Sequence, residues 1–346
     1  MASVHATYLL SAPDQPGLVA RIAGFFYELG LNIVDSSNHA SLAGATHAGP
    51  FVGGALSGSG GHVGGPPSGA ASDGARPGDP SSVVGVPQPG ESTTGARRFY
   101  MRLVVDLDGL SSPKALARLG QSTSRRALED AFGALASGLG ATWSVGYSDA
   151  PPKIAVLVTK ESACLYDLVL RQKQGELPCE IALVISNHPT LEPVAESFRL
   201  PYYVLPVTKE TKAEQEKQIL ELLRKHHVSL VVLARYMQVL SDSFLERAPP
   251  VINIHHGFLP AFQGARPYHQ AFERGVKLIG ATAHYATRDL DEGPIIEQDV
   301  ARVTHAMPPE ELMRVGRDVE RVVLARAVRA HLERRVVVEG RRTIVL

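Results

Sequence analysis

A chain of 346 residues is long enough for two folded units, and 44% hydrophobic residues can supply both with cores. Its 35 Lys and Arg balance 35 Asp and Glu, which excludes the basic excess of a nucleic-acid or anionic-membrane surface. Two cysteines, Cys164 and Cys179, are too few for a disulfide scaffold or a cysteine-built zinc site. No apolar run approaches the roughly 20 residues of a membrane span, and MASVHATYLL lacks a signal-peptide layout, so a cytoplasmic protein is expected.

HATYLLSA (5–12) alternates like a strand, and APDQPG then breaks it. Leu18, Ile22, Phe25, Phe26 and Leu29 recur at helical spacing over 18–30, with Gly30 as the stop. LNIVDSSNH (31–39) and FYMRLVVDL (99–107) read as strands. Residues 111–139 read as mostly helical, with Leu128, Phe132, Leu135 and Leu139 on one stripe, and ATWSVGYS (141–148) closes the unit. The order is βαββαβ, a ferredoxin-like split βαβ. Residues 41–97 interrupt it between the second and third strands and hold almost half of the 32 glycines. Such Gly-, Ser- and Pro-rich chain cannot bury enough apolar surface to offset its entropy, so a disordered insertion is expected. It is too long for a phosphate loop and carries no Lys. Asp14 has two readings: it shapes the turn and caps the first helix, or it pairs with the ammonium of a zwitterion whose carboxylate meets backbone amides.

Pro151-Pro152 marks a boundary, giving units 1–150 and 151–346. KIAVLVT (153–159), EIALVIS (180–186), YYVLPV (202–207) and SLVVLA (229–234) are nearly continuous apolar runs. Helical stretches near 161–174, 190–198 and 210–226 separate them. That pattern predicts an α/β unit with a Rossmann-like, mostly parallel sheet covered on both faces, whose ligands sit at the carboxyl ends of the strands. VINI then delivers Asn253 and His255 on one face, and alternation turns His256 to the other, where an irregular loop begins and runs through Gly264. Residues 278–298 supply a strand bearing His284, an acidic loop with Asp291, and a final strand. A long helix (about 308–334) and a hairpin, VVVEGRRTIVL, follow.

An amide, an imidazole and a carboxylate converging at strand ends can activate a water and stabilise an oxyanion. Asn253 donates without a charge change, His255 polarises or protonates, and Asp291 holds the imidazole. His255, His256, His284 and Asp291 are also ligand types for zinc or iron. Adjacent histidines on a strand diverge, however, and no helical HExxH pair exists, so no metal is expected. The plainer reading is that Asn253 and His255 only satisfy buried hydrogen bonds.

APDQPGLVARIAGFFYELGLNIVDS resembles an ACT domain, an amino-acid-binding regulatory module, through Asp14-Gln15-Pro16-Gly17 and Asn32-Ile33. The likeness implies effector contacts at Asp14, Gly17 and Asn32, and pairing into a homo-oligomer. From Lys153 to Leu346 the chain resembles the folate-dependent formyltransferase fold, in which an Asn-x-His strand and a downstream Asp form the catalytic set. Those positions are Asn253, His255 and Asp291. LARYMQVLS, NIHH, GATAHYAT, DEGPIIEQ and GRDVERVVLARAV resemble the formyltetrahydrofolate deformylase family within that fold.

This resemblance implies hydrolysis of 10-formyltetrahydrofolate to tetrahydrofolate and formate, balancing folate pools for purine biosynthesis, with no metal or nucleotide cofactor. It implies substrate contacts at Arg235, Tyr236, Met237, Gln238, Val239, Leu240, His256 and Gly264. Related transferases hold a phosphate on a Gly-rich loop where this chain has Thr159–Cys164, with no glycine and the carboxylate of Glu161. Two positions depart from the family: Gly257 stands in place of Ser, and Ala163 in place of His. The alternatives are a catalytically weak or silent folate- or amino-acid-binding regulator, and formyl transfer to an amine.

Overall fold

β1 (His5–Pro13) is the pivot of the amino-terminal part of the chain. The computed structural model describes residues 3–41, 97–261 and 267–346. Strand alternation sends Ala6, Tyr8, Leu10 and Ala12 to one face of β1 and Leu9 to the other. α1 (Leu18–Leu29) lays Leu18, Ile22, Phe26 and Leu29 on the first face and ends at Gly30, whose φ of 71° is the left-handed stop that glycine adopts freely. β2 (Asn32–Ala40) and β3 (Arg98–Asp106) form an antiparallel pair. The insertion expected over 41–97 lies, except for its end residues, outside the described residues. Its two ends emerge side by side: Ala40 pairs with Phe99, and the Ser41 amide donates to the Arg98 carbonyl at 2.8 Å.

The stretch expected to be mostly helical over 111–139 is two helices, α2 (Pro113–Arg118) and α3 (Arg125–Gly138). Gly120 and Gln121 take positive φ between them, and Ser112 and Ser124 each cap a helix by accepting an amide three residues on. β4 (Thr142–Tyr147) completes a four-stranded sheet of order β2-β3-β1-β4 with both long helices on one face, as the ferredoxin-like order requires.

The remainder builds one nine-stranded sheet. β5 (Lys153–Val158), α4 (Ala163–Lys173), β6 (Glu180–Ser186), α5 (Glu192–Ser197) and β7 (Tyr202–Val204) run outward in one direction. α6 (Lys212–Lys225) carries the chain back so that β8 (Leu230–Leu233) pairs with β5 on its other side. After α7 (Asp242–Leu245) come β9 (Val251–His255), α8 (Pro267–Glu273), β10 (Leu278–Tyr285) and β11 (Ile295–Arg302). α9 (Pro309–Leu332) then leads into a hairpin of β12 (Val336–Glu339) and β13 (Arg342–Val345).

The order is β12-β13-β11-β10-β9-β8-β5-β6-β7. Strands β5 to β9 pair in parallel, whereas β10 is antiparallel to both neighbours. β5 and β8 bear fully buried apolar runs because helices cover both faces of the sheet. The strand order reverses at β5, with β6 on one side and β8 on the other, and a crevice lies at the carboxyl ends of β5 and β8. Among the described residues, no helix is long and apolar enough to cross a membrane.

The second face of the small sheet rests on the terminal hairpin. Leu9 and Tyr100 pack against Val337, and the Tyr100 hydroxyl donates to the Glu339 carboxylate at 3.0 Å.

Candidate active site

The loops after β5 and β8 are tied together where the crevice opens: the Met237 amide donates to Thr159 Oγ1 at 3.0 Å. Below them lies a cavity of about 590 Å³. Asn253, His255 and Asp291 all line it, as do Arg235 through Leu240 and His256. Gly264 lies outside the described residues. Asp14, Gly17 and Asn32 sit instead on the small-sheet unit, exposed at the start of α1 and of β2. The capping reading of Asp14 is corrected: Gly17 is the N-cap of α1 with no side-chain cap, and Asp14 uses its amide to donate to the Arg97 carbonyl.

Register explains how the central groups meet. Asn253 on β9 lies directly opposite His284 on β10, so both side chains share a face. Asn253 Nδ2 is 3.2 Å from His284 Nε2, and His284 Nδ1 is 3.0 Å from the Tyr285 carbonyl. These partners assign the His284 proton to Nδ1, so Nε2 accepts from the Asn253 amide. The amide keeps a second N–H for a ligand. The β10–β11 ladder slips between Ala283 and His284, a bulge beside the site that re-aims the strand end.

Asp291 reaches in from the following loop, in the left-handed region at φ 59°. One of its carboxylate oxygens is 3.2 Å from His255 Nδ1, the other 3.7 Å from His284 Nε2. The His255 hydrogen bond holds this carboxyl far below the usual carboxylate range despite burial. With Nδ1 committed to Asp291, His255 presents Nε2, which is buried and has no partner among the described residues. A buried orphan nitrogen is costly unless a ligand completes it.

His256 does not diverge as strand alternation implied. β9 ends at His255, so alternation no longer applies, and the two rings stack with centroids 5.4 Å apart on the same cavity. Burial, then Arg235 and His255, pulls the His256 imidazole down to about 3. A neutral ring there accepts or donates without adding charge.

Sequence reading named Arg235 as a substrate contact but missed the buried cluster it joins in the cavity wall. Arg235, at φ 64°, places Nε 3.6 Å from Glu320 of α9, and Glu320 accepts from the Tyr268 hydroxyl at 2.6 Å. Burial pushes the Glu320 carboxyl up, with Arg235 opposing. Gly316 makes room for this contact, because a Cβ there would lie 2.1 Å from the Tyr268 hydroxyl. The glycine and glutamate four residues apart in GRDVE were the available signal.

At the mouth, Met237, Val239 and Leu290 are exposed apolar side chains. Glu161 also lines the cavity, with Arg317 Nη1 3.9 Å from its carboxylate. Gly257 and Ala163 are not among the lining residues. The Gly257 carbonyl accepts from Thr282 Oγ1 at 2.9 Å and so fixes the loop after His256. Among the described residues, no group of three or more His, Cys, Asp or Glu is arranged to hold a metal ion.

His331, at the far end of α9, bonds through Nδ1 to the Tyr285 hydroxyl at 2.8 Å. Burial, then Arg334, pulls it down to about 4 from 6.5. The unfolded chain therefore takes up this proton first. Its stabilising effect is full above about pH 6.5 and is lost as pH falls toward 4. His331→Asn, keeping an acceptor for Tyr285, is expected to flatten the stability–pH curve in that window by roughly 1–3 kcal/mol. Chemical denaturation at several pH values measures it, and an unchanged slope contradicts it.

Comparison with known proteins agrees with this architecture. Residues 152–328 match the formyl transferase family. A formyltetrahydrofolate deformylase of Synechocystis sp. is 43% identical over 100% of this chain and 99% of its own. One from Bacillus subtilis is 39% identical over 97% and 92%. The crystal structure of a formyltetrahydrofolate deformylase from Pseudomonas syringae pv. tomato superposes with a TM-score of 0.78 at 35% identity, covering 100% of this chain and 95% of that one. Glycinamide ribonucleotide transformylase 1 from Symbiobacterium toebii covers 57% of this chain and 94% of its own, with a TM-score of 0.53 and 31% identity. With the whole chain matched and the Asn-x-His strand and Asp loop built into one cavity, this protein belongs to the formyltetrahydrofolate deformylase family.

Proposed function

We propose that the chain hydrolyses 10-formyltetrahydrofolate to tetrahydrofolate and formate, with residues 151–346 carrying the chemistry. The observation that carries this reading is His255. Asp291 anchors its Nδ1, while its buried Nε2 faces a large cavity unpartnered beside the Asn253 amide. The exposed apolar side chains of Met237, Val239 and Leu290 suit the flat face of a pterin, which such a surface shields from water.

Water adds to the formyl carbon. The charge that develops on the formyl oxygen meets N–H groups of Asn253 and His255, preorganised before the reaction. The Asp291 carboxylate offsets the positive charge of a His255 ring that donates through both nitrogens, and keeps that ring in place. Collapse breaks the bond between the formyl carbon and the folate nitrogen. Of the two water protons, one ends on that nitrogen and one reaches solvent as formic acid ionises. No step calls for a metal or a nucleotide cofactor.

In this reading residues 1–150 are an ACT-like regulatory unit. Asp14, Gly17 and Asn32 contact an amino-acid effector, and the module pairs in a homo-oligomer. The enzyme works in the cytoplasm, where formate release balances the one-carbon pools that feed purine synthesis. Turnover in ¹⁸O-labelled water tests the chemistry. One label in the released formate is expected, and unlabelled formate, or a formylated amine in its place, contradicts the reading.

A further inference from the structure

The crevice between the two sheets contains a second cavity, of about 200 Å³. We infer that it is a binding site for a short-chain carboxylate, gripped by the guanidinium of Arg334. The site is separate from Asp14, Gly17 and Asn32, none of which lines it.

Arg334 follows the last turn of α9 in the left-handed region, at φ 54°, and its side chain crosses β4. A Cβ on Gly146 would lie 2.5 Å from Arg334 Nε, so an added methyl there forces the guanidinium to shift. There Nη1 donates to Ser144 Oγ at 2.8 Å. Among the described residues Arg334 has no other hydrogen-bond acceptor and no carboxylate within ion-pair distance.

The other charged groups of the crevice are already engaged. Arg102 donates Nε to the Glu333 carbonyl and Nη1 to Asp35. The Glu333 carboxylate is held by Arg329 at 2.7 Å and lies 3.8 Å from Arg335. His331 is bonded to Tyr285. Burial alone pulls Arg334 down to about 10, with no carboxylate opposing it. A partly buried cation with no counter-ion is one that a bound anion would stabilise.

The chemistry of the walls selects the anion. A single guanidinium fork offers two parallel N–H groups, the geometry that a planar carboxylate accepts bidentately. The remaining wall includes Leu9, Pro152, Leu332 and Val336, which suit a short aliphatic tail and not a fully hydrated phosphate.

Calorimetric titration of the full chain with propionate, propionamide and inorganic phosphate tests this. Propionate is expected to bind saturably, and its neutral isostere and phosphate are not. Arg334→Gln and Gly146→Ala are each expected to weaken propionate by about tenfold or more, the scale of one charge-assisted pair. The first variant removes the cation, whereas the second keeps it and displaces it. Gly146 has no positive φ to lose, so the alanine variant remains decisive if the glutamine variant does not fold. Equal affinity of propionate for wild type and both variants would place binding elsewhere, the catalytic cavity included, and overturn the inference. Equal binding of propionamide, preferential binding of phosphate, or no saturable propionate heat would overturn it as well.

Discussion

Asp291→Asn is expected to lower kcat for formate release by about two orders of magnitude or more while leaving the fold intact, the scale of losing an acid–base group. The backbone tolerates the change, since Asn is among the few residues at ease at the left-handed φ of 59°. What disappears is the negative charge 3.2 Å from His255 Nδ1, which offsets the charge of a ring whose Nε2 meets the oxyanion. Acid sensitivity follows the same group. The folded carboxyl titrates below its ordinary 3.8, so its stabilisation is present above that value and lost as pH falls toward the lower folded one. The Asn variant is expected to lack this acid limb. Steady-state rates with melting temperatures across pH decide the matter, and near-normal turnover would remove Asp291 from the mechanism.

Gly293→Ala is expected to act through structure, costing about 2–3 kcal/mol as an overpacking substitution and taking activity with it. Its Cβ would sit 1.7 Å from the Tyr285 carbonyl oxygen and 3.2 Å from His284 Nδ1. That carbonyl is the partner that fixes the His284 tautomer, and the Tyr285 amide donates to the Pro294 carbonyl at 3.0 Å. The loop must therefore move away from β10, carrying Asp291 off His255. Gly24→Ala, where nothing lies within 4 Å of the added methyl, is the control and is expected to stabilise α1 by up to about 1 kcal/mol. Equal melting temperatures for the two variants would contradict the close packing of this loop.

The strands and long helices were legible because burial imposes its period on the chain. Tyr8 and Leu10 alternate with Leu9, and the apolar runs of β5 and β8 announce a sheet covered on both faces. The meeting of Asn253, His255 and Asp291 in one cavity was expected from resemblance to a family, and Asn253 and His255 also share a face by strand periodicity. What periodicity leaves out is register and everything after a strand end. His284 joins the trio because β10 pairs with β9 antiparallel and puts it opposite Asn253, a fact of long-range pairing. His256 shares the cavity because the strand stops one residue earlier. Arg235, Tyr268 and Glu320 come from three separated segments, so no local pattern links them. The short helices α7 and α8 span 4 and 7 residues, too few turns for an apolar stripe to stand out. The break between α2 and α3 was readable in Gly120 and the two capping serines, but the apolar stripe masked it.

Formate release from 10-formyltetrahydrofolate by the purified chain, with a chelator present and no amine acceptor, tests the central claim most directly. Catalytic release is predicted, reduced by about a hundredfold or more on removing Asp291. Folate binding without formate release would contradict the account and leave a binding protein in place of a hydrolase.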